Sequence, residues 1–103
     1  MSKIVNAGDR IIISPEADVV ASMADGFKGE LLSAITDSQG EVVLDLTGVE
    51  MVDSVGIGVI IASHNTLHQA HRQLRLVNVS HDVYGLFSAM RLNQRFIIEK
   101  REG

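Results

Sequence analysis

The chain of 103 residues contains no cysteine, no tryptophan and a single proline, and only 4% of its residues are aromatic. The lack of cysteine excludes disulfides, thiolate metal sites and cysteine catalysis. With one proline and 46% hydrophobic residues, the composition is that of a folded chain rather than a disordered one. The length predicts one domain over residues 1–103, with a single core and little room for an enclosed active-site cavity.

Long apolar runs and clustered positive charges are also missing. The longest apolar stretch, residues 55–62, contains two glycines and is far shorter than the ~18 residues of a membrane span. The first residues lack the apolar region of a secretory signal. Lysine and arginine are scattered in a chain of net charge −4, whereas nucleic-acid binding needs a clustered positive surface. We therefore expect a cytoplasmic protein without membrane insertion or direct nucleic-acid binding.

Predicted strands and helices alternate along the chain. Apolar, β-rich runs predict strands near residues 3–5, 10–14, 41–46, 74–79 and 96–99, and the three isoleucines of the second run favour a strand buried on both faces. Helical spacing predicts three helices, with Asp18 capping the first, the second covering about residues 55–71, and Ser80 capping the third. The order β-β-α-β-α-β-α-β predicts an α/β domain with a mixed, mostly parallel sheet flanked by helices.

A short polar and glycine-containing segment, residues 53–58, lies between a predicted buried strand and the second helix. Backbone N–H groups at a helix N-terminus lack intrahelical partners, and the helix dipole is positive there, so this position favours a phosphate. We interpret Ser54 as a phosphorylation switch; the alternative is that Asp53 or Ser54 only caps the helix. Gly56 and Gly58 either let a phosphate or a partner approach closely or permit tight packing of the helix on the sheet.

Three histidines, His64, His68 and His71, fall on one stripe of the second helix. Three imidazoles at this spacing could bind a transition metal, but the glutamate of His-Glu-x-x-His is missing, so we favour a solvated stripe and expect no metal site. The stripe continues towards the N-terminus through Ile61 and Ile57. These two residues are interpreted either as a docking surface beside the serine or as part of the core.

Catalytic motifs are weak in this chain. The sequence around Ser54 half resembles the Gly-x-Ser-x-Gly nucleophile turn but lacks its first glycine, and no histidine–aspartate pair is identifiable by spacing. A phosphate-binding loop of the type Gly-x-x-x-x-Gly-Lys is absent from the sequence. We therefore expect a binding protein that is not an enzyme and that needs no cofactor.

The whole pattern is similar to a known family. A small domain with this element order and with Asp-Ser-Val-Gly-Ile-Gly at residues 53–58 resembles the STAS domain family and, within it, the bacterial anti-sigma factor antagonists. Residues 15–18, Pro-Glu-Ala-Asp, occupy the place of the family's Gly-Glu-Leu-Asp, and residues 76–80 follow the family's closing pattern. The resemblance spans about residues 3–99. Two departures are Val55, in place of a common second hydroxyl residue, and the changed residues Pro15 and Ala17.

The resemblance implies a regulatory function by partner switching. In that family the unphosphorylated protein binds an anti-sigma factor, a serine kinase with a histidine-kinase-like ATPase fold, and so releases the sigma factor for transcription. Phosphorylation of the matching serine, here Ser54, breaks the complex, and a serine phosphatase resets it. We expect the partner-binding surface to contain Asp18, Asp53, Val55, Gly56, Ile57, Gly58 and Ile61.

The effect of the phosphate is expected to be local. Added negative charge beside Asp53 would exclude the partner electrostatically and sterically, with nearly the same fold in both states. Two other functions remain open at this point. The chain could be an unphosphorylated structural subunit of a transport or signalling complex, or a sensor that binds a nucleotide or a small anion near residues 56–58.

Overall fold

Five strands and three helices alternate through the part of the chain that the computed structural model describes, residues 2–102. The strands are β1 (Lys3–Asn6), β2 (Arg10–Ser14), β3 (Glu41–Asp45), β4 (Leu74–Val79) and β5 (Ile97–Lys100). The helices are α1 (Ala21–Thr36), α2 (Ser54–Gln69) and α3 (His81–Ala89), and a 3₁₀ turn covers Leu92–Gln94.

The strands form a single sheet in the order β1-β2-β3-β4-β5. The β1–β2 pair is antiparallel, and the three pairs that follow are parallel. Each parallel pair is joined by one helix, and all three connections step across the sheet in the same direction. Right-handed crossovers then place all three helices on the same face. The predicted α/β domain with a mixed, mostly parallel sheet is confirmed.

The core lies between the helices and this one face of the sheet. Alternate strand residues supply it, because successive side chains of a strand point to opposite faces. Ile11 and Ile13 are buried there, but Ile12 is only half-buried on the opposite face. The prediction that the isoleucine strand is buried on both faces was therefore wrong, since the helices cover only one face.

The predicted cap of α1 was also wrong. Asp18 lies outside the helix, which begins at Ala21 after Val20, and Val20 makes no capping hydrogen bond through its side chain. The carboxylate of Asp18 instead accepts the backbone N–H groups of Glu50 and Met51, at 2.9 and 3.1 Å. Asp18 thus holds the loop that leads into the candidate site.

Two other helix boundaries lie close to the prediction. Ser80 caps α3 as predicted, since its Oγ accepts the N–H of Val83 at 3.2 Å. Helix α2 ends at Gln69, two residues before the predicted end, and His71 has a φ of 58°, a left-handed conformation incompatible with the helix. The core-facing part of α2 is unaffected by this difference.

Candidate functional site

The N-terminal ends of α1 and α2 are held side by side by a short parallel pairing of the segments that precede them. Val19 and Val52 form an isolated bridge. The N–H of Val19 donates to the carbonyl of Met51 at 3.0 Å, and the N–H of Asp53 donates to the carbonyl of Val19 at 3.2 Å. Because both valines are buried, this pairing fixes the two helix starts relative to the core. The segments containing Asp18 and Ser54 are therefore adjacent.

Asp53 joins the two helix ends through its carboxylate. One oxygen, Oδ1, accepts the N–H of Gly56 in the first turn of α2 at 2.9 Å, and the other, Oδ2, accepts the N–H of Ala21, the first residue of α1, at 2.8 Å. These hydrogen bonds, that from Gly56 first, lower the pKa of Asp53 below its ordinary value. The carboxylate is thus a fixed negative charge at the positive ends of two helix dipoles.

Ser54 is the first residue of α2, and its side chain is exposed. The neighbouring cap is made by Asp53, so the hydroxyl of Ser54 has no capping role in α2. An exposed hydroxyl at this position can be reached by an enzyme, and a phosphate on it would lie at the positive end of the α2 dipole. The geometry is therefore compatible with modification of Ser54.

Two apolar side chains flank this serine on the surface. Val55 is 47% exposed, and Met51, in the loop before the helix, is 58% exposed. Sequence reasoning missed Met51, because a methionine between strand and helix gives no periodic signal of its exposure. Together with Ser54, the two residues form what we call the switch surface: Met51, Ser54 and Val55.

The other predicted partner-binding residues divide between surface and core. Ile57 is only 6% exposed and belongs to the core, which favours the packing alternative for this residue. Ile61 is half-buried and packs against the same core. Gly58 is exposed on α2, whereas Gly56 is buried. Among the predicted residues of α2, Val55 and Gly58 are thus exposed in the first two turns, Ile61 is half-buried further along the helix, and Gly56 and Ile57 are buried.

The two glycines also differ in the space around them. A Cβ on Gly56 would run into the carbonyl oxygen of Val19 and come within 2.9 Å of its Cγ1. A Cβ on Gly58 would meet nothing within 4 Å. Close packing therefore accounts for Gly56, while Gly58 leaves open space on the exposed side of the helix.

The histidine stripe is only partly solvated. His68 and His71 are exposed, but His64 is half-buried, with its ring centroid 5.2 Å from that of Phe96. Burial, then the nearby His68 and Arg95, lower the pKa of His64. Among residues 2–102, no group of three or more histidine, aspartate or glutamate side chains could hold a metal ion. No helix in the same range is both long and apolar enough to span a membrane.

The chain belongs to the STAS domain family, whose sequence profile matches residues 2–103. A comparison with curated proteins found no significant match. The fold is similar to that of a Thermotoga maritima protein described as an anti-sigma factor antagonist, with a TM-score of 0.85 and 24% identity over 97% of this chain and 85% of that one. The family assignment confirms the resemblance inferred from residues 53–58.

Other solved structures with this fold differ in their context. The anti-sigma factor antagonist SpoIIAA, in its unphosphorylated form, has a TM-score of 0.80 and 14% identity over 95% of this chain and 87% of that chain. The mouse anion transporter Slc26a9 has a TM-score of 0.78 and 19% identity over 95% of this chain, but only 17% of the transporter is covered. The fold therefore occurs both as a small protein and as one part of a large transporter.

Proposed function

We propose that this STAS domain is a phosphorylation-switched binding protein whose partner is an anti-sigma factor with serine-kinase activity. The observation that carries the proposal is the exposed Ser54 hydroxyl at the start of α2, between two exposed apolar side chains, Met51 and Val55. Hydrophobic side chains that flank a modifiable hydroxyl provide a surface that can bind a partner and can also be altered. In this role the chain supplies a substrate residue and catalyses nothing itself.

The switch works through charge at a preformed surface. Phosphorylation adds about −1.5 to −2 charge at neutral pH. The added charge would lie next to the ionised Asp53, whose carboxylate is already held by Gly56 and Ala21. Within the domain, the helix dipole offsets part of the repulsion. A partner that has closed over Met51 and Val55 has no such offset, so the phosphate expels it.

Asp18 has a positioning role in this proposal. Its carboxylate accepts hydrogen bonds from the N–H groups of Glu50 and Met51, so it fixes the backbone of the loop that presents the Met51 side chain. Removal of the carboxylate frees that loop without changing the partner-facing side chains. Asp18 thus belongs to the site through the loop, while Met51 and Val55 make the contact.

Mass spectrometry of the intact protein tests the modification. The chain is mixed with ATP and a serine kinase of the histidine-kinase-like ATPase fold, and wild type is compared with Ser54→Ala. Ser22→Ala is the matched control, because Ser22 is also an exposed serine in the first turn of a helix. We expect one phosphate on the wild type and on the control and none on Ser54→Ala. Equal phosphate uptake by Ser54→Ala would remove Ser54 from its proposed role.

A binding measurement tests the switch itself. Ser54→Asp places a permanent negative charge at the start of α2, and we expect it to weaken kinase binding at least about tenfold, ~1.4 kcal/mol. A serine phosphatase should restore binding of the phosphorylated wild type. Because a kinase partner uses ATP, the proposal places the protein in the cytoplasm. Unchanged affinity after complete phosphorylation would contradict the switch.

A second candidate function is a STAS domain that serves as part of a transport assembly. The similarity to the anion transporter Slc26a9 favours it, since the domain there is a small share of a large protein. In this case the chain would co-purify stably with transporter components, and Ser54→Ala would leave both assembly and transport unchanged. The phosphorylation experiment therefore separates the two candidates.

A further inference from the structure

The loop between β3 and α2, residues 46–53, presents Met51 and is held from two sides. On one side, the carboxylate of Asp18 accepts the N–H groups of Glu50 and Met51. On the other side lies Arg101, the residue that directly follows β5 and that is 51 residues from Glu50 along the chain. The end of the described chain therefore returns to the loop that leads into the switch surface.

The guanidinium of Arg101 makes three contacts with this loop. Its Nη2 donates to the backbone carbonyls of Leu46 and Val49, at 3.2 and 3.5 Å, and its Nη1 lies 3.0 Å from a carboxylate oxygen of Glu50. The backbone N–H of Arg101 donates to the carbonyl of Val79, the last residue of β4, at 2.8 Å. The residue is thus anchored to the sheet through its backbone and reaches the loop through its side chain.

The two carbonyl contacts matter more than the ion pair. The Glu50 side chain is 69% exposed, and an ion pair in contact with water contributes little to stability. Leu46 and Val49 are both fully buried, and the carbonyl of Val49 accepts no other hydrogen bond within residues 2–102. A buried carbonyl without a donor is unfavourable, so removal of the guanidinium would favour a shifted loop in which this carbonyl reaches water.

We propose that Arg101 is a positioning residue of the switch surface and acts on it through the β3–α2 loop. The inference rests on the proposed function, because it assigns to Arg101 a share of the affinity for the kinase partner. Asp18 holds two N–H groups of the loop, and Arg101 holds two carbonyls just before them. The Met51 side chain is 58% exposed, so its position depends on the backbone that these two charged side chains hold.

A double-mutant cycle with Met51 tests the positioning role. Arg101→Gln removes the guanidinium, and we expect it to weaken kinase binding about threefold to tenfold. In the Met51→Ala background the same substitution should weaken binding by less than about twofold, because a residue that acts through Met51 then has no side chain left to position. The matched control is Arg75→Gln, which removes an arginine paired with Glu41, the first residue of β3, at the other end of that strand from the loop. We expect this control to bind like the wild type.

Hydrogen exchange measured by NMR tests the loop itself, without a kinase. We expect the N–H groups of Glu50 and Met51 to exchange at least about threefold faster in Arg101→Gln than in the wild type, whereas those of α2 keep their rates. Arg101→Lys is the conservative variant. A lysine keeps the positive charge but cannot reproduce the planar fork of donors, so we expect it to restore little of the protection.

Three results would overturn the proposal. One is unchanged exchange of the Glu50 and Met51 N–H groups in a folded Arg101→Gln variant. Another is an equal loss of affinity from Arg101→Gln in the wild-type and Met51→Ala backgrounds, since Arg101 would then contact the partner directly. The third is equal weakening of binding by Arg101→Gln and Arg75→Gln. Circular dichroism spectra establish that all variants are folded. Because the exchange rates involve no partner, they distinguish a failure of the positioning role from a failure of the proposed function.

Discussion

Replacement of Gly56 by alanine probes how tightly the start of α2 is packed. The added Cβ would overlap the carbonyl oxygen of Val19 and lie 2.9 Å from its Cγ1 and 3.0 Å from its carbonyl carbon. These are backbone atoms and the branch of a fully buried side chain, so they cannot move aside as a flexible side chain does. The same carbonyl accepts the N–H of Asp53 at 3.2 Å, so a retreat of Val19 also breaks the pairing of the two segments.

The expected magnitude follows from two opposing terms. Overpacking of a closely packed site destabilises a protein by about 1–3 kcal/mol, and occasionally more. Alanine is favoured over glycine in a helix by about 1 kcal/mol, but this advantage is smaller near a helix end. We expect Gly56→Ala to lower the free energy of unfolding by about 2 kcal/mol, which for a domain of this size lowers the melting temperature by roughly 8–16 °C.

Gly58→Ala is the matched control, because it makes the same chemical change two residues later in the same helix. Its Cβ meets no atom within 4 Å, so only the helix propensity changes. We expect it to raise the free energy of unfolding by up to about 1 kcal/mol. Urea unfolding followed by circular dichroism measures both variants. If Gly56→Ala proved as stable as Gly58→Ala, the close approach of Val19 to the helix would be refuted.

Three further predictions concern binding, a side-chain clamp and pH. Met51→Ala should weaken partner binding about tenfold. Met90→Ala removes a similarly exposed methionine far along the chain and should leave binding unchanged. Equal effects of the two variants in a binding assay would rule out the switch surface. Arg72→Lys should cost about 1–3 kcal/mol in urea unfolding, since the guanidinium donates to two backbone carbonyls and one hydroxyl at 2.8–2.9 Å, and a lysine cannot make all three hydrogen bonds. The pKa of His64 is lowered from 6.5 in the folded protein, so the unfolded chain binds more protons at this residue. The free energy of unfolding should therefore fall as the pH drops from above 6.5 through that lowered pKa. If His64→Gln showed the same dependence of the free energy of unfolding on pH as the wild type, this prediction would be contradicted.

The order of strands and helices could be predicted from the sequence because each element has a clear apolar period. Ser80 was recognisable as a cap, since it precedes an apolar helical pattern and has a short side chain that accepts backbone N–H groups. At the start of α2 the sequence left the cap open between Asp53 and Ser54, and the structure shows that the cap is Asp53. Asp18 shows where such reasoning fails. A carboxylate before a helix can accept N–H groups from any neighbouring segment, and here the partners, Glu50 and Met51, are 32 and 33 residues away along the chain.

Exposure at the site was harder to predict than its position. Ile57 and Val55 are both apolar and two residues apart, yet one is buried and the other is exposed, because the direction of each side chain depends on where the first turn of α2 begins. The face of the sheet opposite the helices presents the same difficulty. Ile12 alone does not reveal whether a helix covers it, since that depends on the handedness of connections that lie far away in the sequence.

Asp53 explains why the proposed switch should act without refolding the domain. Its carboxylate accepts one backbone hydrogen bond from each of two helices, so both helix starts are already fixed before any partner binds. A carboxylate is ionised over the whole neutral range, and the lowered pKa of Asp53 extends its hold on the two helices to more acidic pH. A phosphate on Ser54 therefore meets a rigid surface with a negative charge already in place. In the proposed switch, the repulsion would therefore fall on whatever is bound to Met51 and Val55.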